Sequence, residues 1–472
     1  MEELLIGREK DLKTLKLCYE SQESEFVAVY GRRRVGKTFL IRHFFSQGFA
    51  FSLTGLDNVS MTEQLTNFSI ELSNYTEKET QVPKNWLYAF DMLRKYLETL
   101  PEGKKVIFID EMPWLDTPRS NFISALEHFW NSWCSLRHDI KLIACGSATS
   151  WMINKLINNR GGLHNRLTHR ILLEPFTLKE CKMYFDAKKF GYSETEIANC
   201  YMVLGGVPFY LKQMDRELSV AQNIDSLFFK PGGQLSDEYM NLFRSLFKHS
   251  ANYIKIIEAI STKGIGLSRL DIINSMGLLN NGGLTLMLSE LLSCGFIREY
   301  FPAEKLKKET LYQIIDPFLL FYFRFVKKNR YQNPNFWTNS YSSPMHDSWA
   351  GYAFEVLCLN HLTQIKTALG ISGVDTRVAS WRSSKIKNGA QIDLIIDRND
   401  DVINVCEMKF SKKEFSITSK YEKELINKIE TFREETGTKK SVRLTLITSN
   451  GVVKNKYYGL IQNELTLSDL FL

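Results

Sequence analysis

Residues 31–38 read Gly31-Arg32-Arg33-Arg34-Val35-Gly36-Lys37-Thr38, two glycines with four residues between them followed by lysine and threonine. That spacing suits a phosphate-binding loop. The glycines let backbone amides wrap round phosphate oxygens, and the following helix N-terminus faces the anion. Lys37 adds a point charge at the β- and γ-phosphates, and Thr38 offers a hydroxyl to Mg²⁺. The context agrees: apolar Phe26–Tyr30 leads in and helical Phe39–Phe45 leads out. The other half of such a site is a carboxylate at the end of an apolar strand, and Lys105–Asp110 followed by Glu111 supplies one. Asp110 is placed on the hydrated magnesium and Glu111 on the attacking water. Two acids at a buried strand end are costly unless a cation or water uses them. ATP and Mg²⁺ are the expected cofactors, and ATP hydrolysis the expected reaction.

A polar sensor of the γ-phosphate belongs at the end of a neighbouring strand. Leu142–Cys145 is followed by Gly146, Ser147, Ala148 and Thr149. Ser147 or Thr149 could serve, and either could equally cap the next helix. An arginine that stabilises transferring phosphate charge could come from Arg160, Arg166 or Arg170. A solvated basic loop is the simpler reading of each. Such an arginine can belong to another copy of the chain, which leaves a homo-oligomer open.

A second set of chemical residues lies near the C-terminus. Turn formers at Asp397–Asp401 separate the apolar runs Gln391–Ile396 and Val402–Lys409, predicting a hairpin. With the turn centred on Asp400, Asp393 falls opposite Glu407 and shares its face. Lys409, two residues on, joins them. Neighbouring carboxylates repel unless a divalent cation lies between them. Mg²⁺ or Mn²⁺ held by Asp393 and Glu407 could clamp a phosphodiester and generate hydroxide, with Lys409 orienting water or stabilising charge. A solvated hairpin face is the bland alternative.

The elements that must position these residues fall into blocks. The chain has 472 residues, 44% hydrophobic and 24% charged, with a net charge of +7. That is a globular composition of several domains whose mild basicity permits nucleic-acid contact without demanding it. Eight scattered cysteines without a Cys-x-x-Cys pair read as reduced core residues of a cytosolic protein. Neither a membrane span nor a signal peptide is expected. Residues 1–175 alternate apolar runs with helical patterns. The runs Phe26–Tyr30, Ala50–Leu53, Val106–Ile109, Leu142–Cys145 and Ile171–Leu173 predict a parallel sheet covered on both faces. Residues 176–232 read as a helical lid, broken at Gly205-Gly206 and Pro208. Residues 233–330 predict three helices (Ala251–Thr262, Ser268–Met276, Gly283–Ser293) and strands Gly295–Tyr300 and Leu311–Ile315. These flank a loop carrying Lys305, Lys307 and Lys308, the pattern of a winged helix-turn-helix. Its third helix has Glu290 as its only charge, and Asn280 and Asn281 before it are uncharged, which argues against base readout. Asn329–Ser348 reads as a polar, aromatic linker. Residues 345–472 predict a helix over Ala350–Thr367, the hairpin, a helix over Ile417–Glu435 and a strand over Val442–Thr448.

Residues 1–230 resemble prokaryotic AAA-type ATPases of the archaeal-ATPase group, related to the signal-transducing STAND NTPases. The motifs are Ile6-Gly7-Arg8-Glu9, Gly31–Thr38, Ile109–Trp114, Cys145-Gly146-Ser147 and Gly205–Leu211. The resemblance implies that Gly7, Arg8 and Pro208 contact the nucleotide and that Arg166 is the finger or sensor. No arginine lies within Gly205–Leu211, so a second sensor is missing from that motif. The Asp393…Glu407-x-Lys409 set resembles the PD-(D/E)xK, restriction-endonuclease-like nucleases. Glu355 matches the acid that those domains often carry on their first helix. The first motif here reads Gln391-Ile392-Asp393, without the proline of the name. All three blocks occur together in a family of bacterial and archaeal proteins. The fold class implied is α/β: a P-loop NTPase sheet with a helical lid, a winged helix-turn-helix, then a restriction-endonuclease-like α/β domain. The function implied is an ATP-driven switch with a metal-dependent nuclease-like effector acting on nucleic acid. A nucleotide-gated DNA- or protein-binding regulator without cleavage is the alternative.

Overall fold

A computed structural model of the chain describes residues 4–159, 161–247, 249–277, 282–300, 310–329, 332–341, 343–383 and 390–472. They divide into two compact units, Met1–Glu174 and Pro175–Leu472.

The first unit is built on five strands: β1 (Glu25–Tyr30), β2 (Phe51–Thr54), β3 (Lys105–Asp110), β4 (Ile140–Gly146) and β5 (His169–Leu172). Their order is β2-β3-β4-β1-β5, and every pair is parallel. β1, β3 and β4 are buried along nearly their whole length, which is why their sequences are continuous apolar runs rather than alternations. Leu15 and Cys18 of the Glu9–Glu20 helix and Leu40 and Ile41 of the Lys37–Phe44 helix cover one face. Leu65, Phe68, Trp86, Phe90 and Leu126 cover the other. Tyr30 pairs with Gly146 and Ile109 with Ala144, so β1, β3 and β4 all end at one edge of the sheet. The residues that follow these strands are brought together there, as is usual for open parallel sheets.

In the second unit one buried apolar cluster runs from Phe176 to Leu470. It takes in the helices Leu178–Ala187 and Glu194–Leu204 and the central helices Ser250–Ser261, Arg269–Met276 and Gly282–Ser293. The central helices carry a three-stranded antiparallel sheet of order β6-β8-β7, from Leu267–Ser268, Leu311–Ile314 and Ile297–Tyr300. β6 has two residues, too short to leave an alternation in the sequence. The expected wing lysines 305, 307 and 308, and Asn280 and Asn281, lie outside the described residues.

The last sheet has the order β13-β12-β11-β10-β9, from Asn463–Thr466, Ser441–Thr448, Val402–Lys409, Gln391–Arg398 and Thr376–Arg382. β9, β10 and β11 pair antiparallel, while β11, β12 and β13 pair parallel. Leu425 and Phe432 of the Ser419–Thr436 helix pack on Ile395, Val405 and Leu444 on one face. Leu394, Ile396, Cys406 and Met408 face the large cluster with Phe354 and Leu357.

Two expectations are corrected here. Asn329–Ser348 is not a linker: Trp337 is buried and packs against Phe321, Phe325 and Trp349 at ring separations of 4.9–5.1 Å. Buried Asp225 fixes this segment, accepting from Trp337 N at 2.7 Å, Thr338 N at 3.0 Å and Thr338 Oγ1 at 2.5 Å. Nor is 350–367 one helix. A helix over Pro344–Leu359 gives way to another over Leu362–Ala368. At the break, His361 Nδ1 lies 2.8 Å from Leu357 O, and Nε2 accepts from Leu178 N at 2.9 Å. This places the ring proton on Nδ1 and leaves the imidazole neutral.

Burial holds His361 down to about pH 4. The unfolded ring titrates near 6.5, so between these values the unfolded chain binds the extra proton. The contribution is whole above pH ~6.5 and is lost as the pH falls toward 4, up to about 3 kcal/mol. Urea unfolding at pH 7 and pH 5 measures it. A His361→Gln protein should lose that pH dependence, and an equal slope in both proteins would disprove the assignment.

All eight cysteines are buried and free. Among the described residues no helix is long and apolar enough to cross a membrane.

Candidate functional site

The phosphate loop joins β1 to the Lys37–Phe44 helix. Gly31 has φ +139°, and a Cβ there would lie 2.2 Å from Leu173 O, so only glycine fits where the loop passes the end of β5. Gly36 (φ +94°) and Arg34 (φ +73°) also take left-handed conformations. Lys37 is buried and bends back over the loop, donating to Gly31 O and Arg32 O at 3.0 Å each. Arg32 and Val35 are buried, while Arg33 and Arg34 are half-buried. The first motif abuts the loop: Gly7 and Arg8 both have positive φ, and buried Arg8 donates to Val35 O at 3.1 Å.

Thr38 Oγ1 donates to Asp110 Oδ2 at 2.8 Å, so the threonine hydroxyl and the strand-end carboxylate meet as expected. Both are hard oxygen donors of the kind Mg²⁺ takes, which makes the pair a fitting magnesium seat. Asp110 Oδ1 accepts from Glu111 N at 3.0 Å, and Glu111 sits in left-handed backbone at φ +44°. Its carboxylate points across to β4 and is held by Ser147, from N at 3.1 Å and from Oγ at 2.8 Å. Ser147 is therefore tied to the water-activating candidate. Neither Ser147 nor Thr149 caps the Thr149–Trp151 helix; Thr149 is buried, with Oγ1 3.5 Å from Ser147 O. Arg166 and Arg170 are exposed, and Arg160 lies outside the described residues. Pro208 opens the Pro208–Leu211 helix of the second unit. Packing within that unit accounts for the preceding Gly206. It has φ +66°, a Cβ on it would lie 2.2 Å from Phe176 O, and its own carbonyl accepts from Phe176 N.

The C-terminal hairpin has the expected register. Leu394 faces Cys406 and Asp397 faces Ile403, centred on Asp400. Against β9 the strand carries an irregularity: Ile392 pairs with Trp381 but Ile395 with Ala379, so three steps on β10 match two on β9. Asp393 lies within this bulge, a device that re-aims side chains. Gln391 Nε2 donates to Asp393 Oδ1 at 2.6 Å. Glu407 is buried and anchored from the Ser419–Thr436 helix, by Lys428 Nζ at 2.5 Å and Tyr421 OH at 3.0 Å. Lys409 Nζ lies 3.8 Å from Glu407 and 5.1 Å from the Tyr421 ring centre. Burial, reinforced by the charges of Asp393 and Glu407, pushes Glu355 up to about 8, partly offset by Lys409 and Lys428. Burial and Glu407 likewise push the Tyr421 phenol well above its ordinary value. The sequence-picked residues Glu355, Asp393, Glu407 and Lys409 thus belong to one electrostatic neighbourhood.

Tyr421, Lys428, Gln391 and Arg298 were not anticipated. Arg298 of β7 lines the same cleft as Tyr300, Arg382, Gln391 and Asp393, and burial lowers its pKa. Tyr421 and Lys428 left one trace: they are seven residues apart, on one face of a predicted helix. Arg298 left none, because the cleft residues it meets on the last sheet, Arg382, Gln391 and Asp393, are far away in sequence.

The parallel sheet, the glycine loop and the Thr38–Asp110 pair define an ATPase-type P-loop domain. Residues 5–214 match the family model of an ATPase domain predominantly from Archaea. An uncharacterised protein of Methanocaldococcus jannaschii is 26% identical over 419 residues, covering 86% of this chain and 88% of that protein. An alignment of that length runs well past residue 214. Among solved structures, a Walker-type ATPase of Pyrococcus abyssi is 18% identical, covers 68% of this chain and 96% of its own, and superposes with a TM-score of 0.49. The ORC2 protein of Aeropyrum pernix is 14% identical, covering 70% and 96%, with a TM-score of 0.40.

Proposed function

We propose that this chain is an ATP-hydrolysing switch coupled to a metal-dependent, nuclease-like C-terminal effector. The observation that carries the reading is the gathering of Asp393, Glu407, Lys409 and Glu355 at one sheet, on a chain that also carries the Thr38–Asp110–Glu111 site.

At the first site Lys37 would leave its loop carbonyls for the β- and γ-phosphates, and Thr38 with Asp110 would hold Mg²⁺. A bound cation would neutralise charge on the phosphates. Glu111 accepts the proton of the attacking water once it leaves Ser147, and an exposed arginine such as Arg166, its own or a neighbour's, stabilises the transferring charge. Leu173 N donates to Tyr30 O at 2.8 Å beside Gly31, and the chain enters the second unit two residues later, at Pro175. A change at the loop is therefore covalently close to the lid. Within the second unit the lid helix and the C-terminal block are joined through Leu178 and His361.

At the second site Asp393 and Glu407 offer oxygen donors suited to Mg²⁺ or Mn²⁺. A bound cation would polarise a phosphodiester and lower the pKa of water. Lys428 is the counter-charge to Glu407 and would yield to a bound cation. Lys409 remains to orient water. The central module reads as a winged helix that packs and relays rather than reads bases, since its third helix lacks cations.

The test uses the whole protein with single- and double-stranded DNA and RNA in Mg²⁺ or Mn²⁺, with and without ATP. Wild type is expected to cleave one of these, Lys409→Ala to fall to background, and Lys37→Ala to lose ATP binding and the ATP response. Equal, negligible cleavage by wild type and Lys409→Ala defeats the effector half. Salt-dependent binding without cleavage would instead favour the regulator reading.

A further inference from the structure

At the sheet edge opposite the phosphate loop, three side chains of metal-ligand type meet. They are Cys18 of the Glu9–Glu20 helix, Glu25 at the start of β1 and His169 at the start of β5. Their ligand atoms all lie within 4.8 Å of one another. The topology explains the meeting. Val27 pairs with His169, and Glu25, two residues earlier, points to the same face as Val27. The helix carrying Leu15 and Cys18 covers that face.

As it stands the cluster is poorly compensated. The Glu25 side chain is only 9% exposed, and among the described residues its one ion pair within 4 Å is with His169 Nε2 at 3.9 Å. Among the described residues that carboxylate accepts no hydrogen bond. Burying a carboxylate so sparsely matched is unfavourable without a cation. Lys141, its partner across β4, does not supply one directly: its ammonium donates to Ser21 O at 3.0 Å and Glu23 O at 2.5 Å. Cys18 is also buried.

We propose that Cys18, Glu25 and His169 form a binding site for a zinc-class divalent cation. A thiolate, a carboxylate and an imidazole are a zinc donor set, and the half-exposed His169 side leaves a fourth position for water. Binding exchanges the Cys18 proton for the metal: the S–H bond breaks, the sulfur–metal bond forms, and the proton goes to solvent. The two anionic ligands then neutralise the dication, so Lys141 faces a centre without net charge. The site clasps the Glu9–Glu20 helix to β1 and β5. That helix begins directly after Arg8, which donates to the phosphate loop at Val35 O, so the metal steadies the nucleotide site from behind.

The test is a Co²⁺ titration of the chelator-stripped full chain. Thiolate ligation gives Co²⁺ a sulfur-to-metal charge-transfer band, which the oxygen sites at Thr38–Asp110 and Asp393–Glu407 cannot produce. One equivalent of Co²⁺ should generate the band, one of Zn²⁺ should abolish it, and Cys18→Ser should lack it. His169→Ala, changed at a half-exposed position, should weaken it while keeping the wild-type circular dichroism. Absence of a thiolate band in wild type, or the same band in folded His169→Ala and Cys18→Ser proteins, overturns the site.

Discussion

Glu111→Gln is expected to lower steady-state ATP hydrolysis by about 10²–10⁴-fold while ATP still binds. Glutamine keeps the volume of the side chain and can still meet Ser147. It cannot accept the proton of the attacking water. Lys37, Thr38 and Asp110 are untouched, so phosphate and magnesium contacts persist. Phosphate release and the affinity for a fluorescent nucleotide, measured on the same preparation, separate the two effects. Asp110→Asn is the contrasting variant, because it alters the partner of Thr38 and should weaken magnesium-dependent binding itself. Hydrolysis by Glu111→Gln within about threefold of wild type would remove Glu111 from the role of general base.

The second large effect concerns Glu407. Its carboxylate is buried between Lys428 and Tyr421, so it is either a metal ligand guarded by a lysine or simply half of an internal ion pair. Glu407→Gln distinguishes these. In both cases Lys428 loses its partner, and the second unit should be destabilised by about 3–5 kcal/mol, the usual penalty for orphaning one member of a buried pair. If Glu407 also binds Mn²⁺, wild type gains stability with added Mn²⁺, the variant does not, and cleavage falls to background. Thermal melting with and without Mn²⁺ reads the difference. Identical Mn²⁺ responses in the two proteins would reduce Glu407 to a structural ion pair. Glu355 adds a pH signature: held protonated to about pH 8, it would give up its proton more readily beside a cation on Asp393 and Glu407, so metal binding should strengthen as pH rises toward 8.

Much of this was legible because burial leaves simple patterns. Strands covered on both faces must be apolar throughout, so β1, β3 and β4 stood out as runs. The hairpin register followed from one turn, Asp397–Asp401, because pairing is rigid once the turn is placed. The aromatic stretch around Trp337 misled because its asparagines and serines look solvated. What ties its backbone down is Asp225, more than a hundred residues earlier. The break at His361 was hidden since histidine tolerates helices. Its cause is an amide on another helix, Leu178 N. Arg298 was invisible for a related reason, since nothing near it in sequence records which carboxylates it approaches, and Lys428 left only its seven-residue spacing from Tyr421. Short-range chemistry such as Gly31–Thr38 writes itself into a motif, whereas a site assembled from separate elements does not.

The single apolar cluster from Phe176 to Leu470 bears on how such a chain can change over generations. The helices Leu178–Ala187 and Glu194–Leu204, the central module and the last sheet share their buried surface, so deleting the last sheet would uncover the other two. A lineage with no further need of Asp393, Glu407 and Lys409 would still have to inherit the strands that carry them. Keeping the domain and keeping the proposed chemistry would then be separate inheritances, and the three side chains would be the record of the second.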